Sequence, residues 1–251
     1  MTAIIMLNTL RYKKREINMT ERDVLKRMAA QQAVDFLKTG MVIGLGTGST
    51  VSFVLLMLSQ RIRDGLLRNI AGVPSSGKTE EEARRLGIPL TTLDLSPHPD
   101  LNIDGADEVD PELNLIKGRG GALLREKVLA QASQQTIIII DEGKLSDALG
   151  THMPIPVEVL TFALRPETDY LTSLGAIVSH RTRADGKPFI TDEGNYILDC
   201  NFGPIRSPGN LASLLDQRAG IVEHGIFVGL ASHVIVAGDR GVWHLKEKEM
   251  I

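Results

Sequence analysis

Apolar residues along this chain fall into short runs separated by charged stretches, and the alternation is regular enough to predict elements. MTERDVLKRMAAQQAVDFLKTG (19–40) predicts a helix capped by Thr20, with Asp23 in its first turn and Gly40 to end it. MVIGLG (41–46) reads as a short buried strand, and VSFVLLMLSQRI (51–62) as an apolar helix. LRNIAGVPSS (67–76) then gives a strand and loop, KTEEEARRLG (78–87) a charged helix closed by Gly87, and IPLTTLDL (88–95) another short strand. The four consecutive isoleucines of TIIIID (136–141) predict a central strand buried on both faces. Alternating β and α signals of this kind argue for an α/β fold, a parallel sheet with helices on its faces.

From about residue 152 the pattern changes. HMPIPVEVL (152–160) leads through a helix-like TDYLTSLG (168–175) into GAIVSHRTRADGKPFITDEGNYILDCNF (175–202), whose ADGK and DEGN are hairpin signals of an antiparallel sheet. LASLLDQRAG (211–220) predicts a second helix ending at Gly220. This organisation predicts a smaller α+β domain at 151–223 inserted into an α/β domain made of 19–150 and 224–251. Residues 1–18 are read as a poorly ordered leader or an over-called start. GIFVGLASHVIVAGDRGVWHL (225–245) returns to the first domain as two strand-like runs and a terminal turn.

Composition narrows the function classes. With 251 residues and 43% hydrophobic content the chain buries a sizeable core. Net charge of −3 with both signs dispersed gives no footprint for nucleic acid. Its apolar runs fall far short of the ~20 residues that span a bilayer, so no membrane partner is expected. The single cysteine, Cys200, excludes an intramolecular disulfide and fits a reducing compartment such as the cytoplasm. Six scattered histidines, with no pair at three- to five-residue spacing, argue against a transition-metal site. Magnesium on Asp104 and Asp107 is conceivable if a substrate phosphate shares the ion.

Chemistry concentrates in two segments. In GLGTGST (44–50), glycines let the backbone approach a ligand while Thr47, Ser49 and Thr50 add hydroxyls beside a helix N-terminus. The spacing fits neither the P-loop nor the dinucleotide fingerprint. Taken alone, the loop is equally a phosphate cradle or a well-capped turn that binds nothing. The second segment, DGADEVDPELNLIKGRGGALLREK (104–127), places Asp104, Asp107 and Glu108 at a strand end, where open α/β sheets bind ligands. Lys117 and a glycine turn follow, then a helix carrying Glu126 in its first two turns; Lys144 stands just beyond the isoleucine strand. Singly, each lysine reads as a solvated surface residue and Glu126 as a charge complementing a helix dipole, while the aspartates read equally as a turn residue and an N-cap or as functional acids.

Five motifs in order, GLGTGST, DLNIDGADEVD, IKGRGGALLREK, DEGK and PIPVEV, closely resemble ribose-5-phosphate isomerase of the A type, from about Met19 to Lys246. That resemblance implies a Rossmann-like parallel-sheet domain with an inserted ferredoxin-like α+β domain, and a homodimer or dimer of dimers. It also implies metal-independent, cofactor-free interconversion of ribose 5-phosphate and ribulose 5-phosphate. Glu126 matches the family's proton acceptor, Asp104 and Asp107 its paired acids, and Lys117 its lysine beside the substrate oxygens. Thr47, Gly48, Ser49 and Thr50 match the first substrate loop; Gly105 and Ala106 lie within the acid loop; Gly118, Arg119 and Gly120 match the glycine turn, and Lys144 a further substrate-binding lysine. Arg119 departs from the family's usual glycine, and costs on the order of 1 kcal/mol if its backbone needs positive φ. Amino-sugar phosphate deaminases and non-catalytic sugar-phosphate sensors share related scaffolds. The spacing from DGADE to LLREK disfavours the first, and a single helix before the first strand, where a sensor would carry a DNA-binding module, disfavours the second.

Overall fold

The computed structural model describes residues 19–246; the expected leader at 1–18 lies outside them. The elements run α1 (Glu21–Val34), β1 (Val42–Leu45), α2 (Ser49–Arg63), β2 (Ala71–Pro74), α3 (Gly77–Leu86), β3 (Leu101–Gly105), β4 (Glu108–Val109), β5 (Leu115–Ile116), α4 (Leu123–Ala132) and β6 (Thr136–Asp141). They continue with β7 (Ile155–Val159), α5 (Leu164–Ser173), β8 (Ile177–His180), β9 (Tyr196–Asn201), α6 (Pro208–Asp216), β10 (Ile221–His224), β11 (Ile226–Phe227), β12 (His233–Gly238) and β13 (Gly241–Lys246). Among the described residues no helix is long and apolar enough to cross a membrane.

The main sheet has the order β13-β12-β6-β3-β1-β2 and is parallel except at β13, which pairs antiparallel with β12. This is the Rossmann-like α/β fold. The isoleucine strand β6 lies inside it and shows why four branched residues occur in succession. Ile137 and Ile139 pack into the apolar cluster under α1 and α2, while Ile138 and Ile140 enter the opposite cluster with Val109, Leu115 and Phe227. Successive side chains of a strand point to opposite faces, so a strand covered on both sides is apolar throughout.

A second sheet, β10-β7-β9-β8, is wholly antiparallel and encloses its own cluster with Leu171, Leu215 and Cys200. One edge strand, β10, runs to His224, one residue past the expected boundary at 223. A three-stranded sheet, β11-β5-β4, lies between these two in the chain's packing and brings β11 against the segment that ends in Lys117.

Several expectations needed correction. IPLTTLDL is not a strand: only Leu90 bridges Gly72, because Pro89 has no N–H to donate and a turn begins at Leu93. The first helix ends at Val34 rather than Gly40, although the Thr20 cap and its reciprocal bond with Asp23 are present. α6 ends at Asp216, and Gly220 serves a different purpose. A Cβ there would come within 2.6 Å of the Ala163 Cβ, so glycine permits close packing onto the start of α5. The terminal turn is a full hairpin whose outer strand, β13, closes the sheet edge.

Glu108, adjacent to Asp107, leaves the acid cluster altogether. Its buried carboxylate accepts backbone N–H bonds from Gly150, Thr151 and Met153, each at 3.1 Å, and from His152 at 3.3 Å. It therefore ties β4 to the approach of β7. Removing such an acceptor leaves buried donors unsatisfied, so Glu108→Ala is expected to cost about 3 kcal/mol of unfolding free energy in urea titration. Glu108→Gln should cost less, since its amide oxygen retains part of the acceptor capacity.

Candidate active site

One cleft of about 360 Å³ opens at the carboxyl ends of the parallel strands. Thr47, Gly48, Ser49, Thr50, Gly105, Ala106, Asp107, Lys117, Gly118, Arg119, Gly120, Glu126 and Lys144 all line it. Asp104 does not. It stands behind the wall, 1% exposed, in contact with Lys117.

The centre of the wall is a buried ion cluster. Lys117 Nζ lies 2.9 Å from Asp104 Oδ2 and 3.3 Å from Glu126 Oε2, and donates to Gly105 O at 2.7 Å. Three elements converge here: β3 carries Asp104, the chain leaving β5 carries Lys117, and the first turn of α4 carries Glu126. Asp104 is further fixed at Oδ1 by the N–H groups of Thr47 (3.1 Å) and Gly105 (2.8 Å). That approach requires glycine at 46, because a Cβ there would sit 2.1 Å from Asp104 Oδ1.

Charge balance sets the protonation of the cluster. Burial pulls the Lys117 ammonium toward neutrality, but Asp104 and Glu126 outweigh it and hold its pKa above the ordinary lysine value. One cation cannot neutralise two carboxylates. Burial chiefly raises both acids, against the pull of Lys117. Asp104 has two backbone donors to support its charge, whereas Glu126 Oε2 has no directed hydrogen bond. Glu126 is pushed up to about 8, by burial first and by the nearby charge of Asp104 after it.

Asp107 faces the cleft, and its Oδ2 accepts the Arg119 N–H at 2.9 Å. The turn's positive φ angles fall on Gly118 (+97°) and Gly121 (+86°), not on Arg119. The anticipated strain at Arg119 is thus absent, and an exposed arginine is accommodated at the cleft edge. At the opposite wall, α2 begins at Gly48 with no side-chain cap, leaving first-turn N–H groups open beside Ser49 and Thr50.

Two basic cleft residues escaped the sequence reading. Arg22 and Lys26, on α1, also line the cleft, with Arg22 3.6 Å from Asp141 and Lys26 3.7 Å from Asp23. Their spacing of four puts them on one helix face, but nothing local distinguishes them from solvated charges. The segment PSSGKTEEE buttresses the first loop: Thr47 Oγ1 meets the hydroxyls of Ser75, Ser76 and Thr79 within 3.0 Å.

Among the described residues, Asp216, Glu223 and His224 form a group whose ligand atoms lie within 4.8 Å of one another. A lysine already supplies the cation. Lys127 Nζ donates to Glu223 Oε1 and to His224 O, while His224 Nδ1 accepts the Ile226 N–H and its Nε2 faces Asp216.

Lys117→Met would leave two carboxylates buried without a counter-charge. Breaking a buried pair in this way costs about 3–5 kcal/mol, and the expected loss in urea titration is of that size at pH 8. With their folded pKa values raised, the acids take up protons at lower pH, so the loss should shrink toward pH 5.5.

Comparison with known proteins bears on what this arrangement is for. The family described as ribose 5-phosphate isomerase A (phosphoriboisomerase A) matches residues 71–241. A ribose-5-phosphate isomerase A from Desulfatibacillum aliphaticivorans is 53% identical over 228 residues, covering 91% of this chain and 99% of its own. Another from Chloroflexus aurantiacus is 53% identical over 229 residues, covering 91% of this chain and 96% of its own. Among solved structures, a D-ribose-5-phosphate isomerase in complex with phospho-erythronic acid matches with a TM-score of 0.89 at 38% identity, covering 90% of this chain and 100% of that one. A ribose 5-phosphate isomerase from Plasmodium falciparum gives 0.87 at 42% identity, covering 90% of this chain and 99% of that one. Similarity of this degree, over this much of each protein, means that the chain belongs to the ribose 5-phosphate isomerase A family.

Proposed function

We propose that this protein interconverts ribose 5-phosphate and ribulose 5-phosphate in the pentose phosphate pathway, using the buried cluster of Asp104, Lys117 and Glu126 at the wall of the cleft. Aldose-to-ketose conversion requires a base for the C2 proton and positive charge for the enediolate oxygen. Glu126, as carboxylate, takes the C2 proton and returns it to C1. Lys117 donates to the oxygen on which negative charge develops as the C1–C2 double bond forms. The O2 hydroxyl proton departs as the C2 carbonyl forms, while O1 gains one.

The two aspartates divide their work. Asp107, at the cleft surface, handles ring opening and hydroxyl protons. Asp104 keeps Lys117 charged and directed. The phosphate sits at the N-terminus of α2 with Ser49, Thr50, Lys26 and Lys144 around it, where free N–H groups and the helix dipole favour an anion. No step assigned here requires a metal.

We also propose cytoplasmic location and a homodimeric assembly, on family resemblance. On the same footing, residues 19–150 with 224–251 form the catalytic unit and 151–223 the insert.

The test is conversion of ribose 5-phosphate by purified protein in EDTA, with Glu126→Gln assayed beside it. Native turnover should survive the chelator, and Glu126→Gln should lower turnover by at least ~10²-fold while still binding substrate. Near-normal turnover by Glu126→Gln would remove it as the base. Because the base must be ionised, kcat/KM of the native enzyme should rise with pH toward a plateau, with a midpoint near the Glu126 value of about 8. A midpoint in the ordinary carboxylate range, near 4.5, would refute the charge argument.

A further inference from the structure

The glycine turn is gripped by a residue from the other sheet. Arg181 follows β8, and its guanidinium forms a fork on Asp199 of β9, through Nε to Oδ2 at 2.9 Å and through Nη2 to Oδ1. Its backbone is held on both sides, donating to Ile197 O and accepting from the Phe189 N–H, each at 2.9 Å. What remains is Nη1, which donates to Gly118 O at 2.9 Å and to Arg119 O at 3.0 Å.

These two carbonyls fix two peptide planes. In a trans peptide the C=O and the N–H point in opposite directions. In the 118–119 peptide the far side is visible: the Arg119 N–H reaches Asp107, a cleft residue. By the same geometry, holding Arg119 O on Arg181 directs the Gly120 N–H away from Arg181, toward the side where Asp107 lies. Gly120 lines the cleft, and its N–H has no partner among the described residues. Phe189 closes the turn from behind, leaving no room for a Cβ at Gly121, where one would fall 2.4 Å from the ring.

We propose that Arg181 is a positioning residue that aims the Gly120 N–H into the cleft as a backbone hydrogen-bond donor to a substrate oxygen. Arg181 touches no substrate itself. The inference rests on the isomerase reading and goes beyond it by naming a donor atom and the residue that orients it. Lysine cannot replace arginine fully, since one ammonium cannot hold the Asp199 carboxylate in a fork while spanning two carbonyls.

The experiment uses the full chain labelled with 15N-glycine, as wild type, Arg181→Met and Arg181→Lys, each titrated with phospho-erythronic acid and assayed on ribose 5-phosphate. In the wild type the Gly120 amide proton should move downfield on binding. In Arg181→Met that response should vanish, with affinity for the acid and kcat/KM both falling by roughly 10-fold or more, and Arg181→Lys should lie between. A Gly120 amide that ignores the ligand in the wild type overturns the proposal. So does an Arg181→Met protein that is merely less heat-stable but keeps the amide response and the affinity. Should Arg181→Met not fold, Arg181→Lys decides: a weakened response supports the proposal and an unaltered one overturns it. Wild-type protein that binds the acid but does not isomerise ribose 5-phosphate would defeat the isomerase reading alone, because the Gly120 response is read without turnover.

Discussion

Lys117 is an ammonium taken out of water, 3% exposed, and its burial sets conditions on everything around it. Such a charge costs several kcal/mol in lost hydration, and only well-placed oxygens offset that cost. Here they come from Asp104, Glu126 and the Gly105 carbonyl. Because β3 supplies Asp104 and Gly105, α4 supplies Glu126 and the exit of β5 carries Lys117 itself, these three segments must dock in one relative position before the cation is satisfied. The same arrangement carries an excess of negative charge. Burial, with the charge of Asp104 added to it, outweighs the pull of Lys117 and lifts Glu126 out of the ordinary carboxylate range, as the proposed base requires near neutral pH.

Around this cluster the backbone comes closer than side chains would allow. Gly46 lets the first loop lie on Asp104, and Gly118 and Gly121 let the turn after Lys117 pass between Leu123 and Phe189. The second sheet is therefore more than an appendage to the first. Arg181 and Phe189 reach the turn from it, Asp192 accepts the Gly77 N–H at the start of α3, and Arg125, one residue before Glu126, pairs with Asp192 and Glu193. Helix α4, which carries Glu126, is braced by both sheets.

The adjacent acids Asp107 and Glu108 illustrate how little separates a reactive group from a structural one. Asp107 stands in the loop at the cleft, while Glu108 begins β4 and points into four backbone amides of the segment leading to β7. Both are acids in the same short motif. Their different surroundings, an open cleft against a ring of N–H donors, set the two apart.

Much of this was written locally. The buried strand TIIIID, the loop GTGST opening a helix, and the order of acids, lysine, glycine turn and Glu126 all followed from periodicity and residue chemistry, because strand alternation, helix termini and glycine's conformational range act over a few residues. The sequence order also supplied the family resemblance. What it did not supply depended on partners distant in the chain. Leu90 lies where strand composition predicts pairing, yet Pro89 and the turn at Leu93 limit it to one bridge. Arg22 and Lys26 look like surface charges until α1 packs beside β6 and turns that face to the cleft. Arg181 reads as one basic residue among several in a hairpin. Its role arises only when the second sheet docks and its guanidinium meets Gly118 O and Arg119 O, since a hydrogen bond requires a distance and an angle that only the folded chain provides.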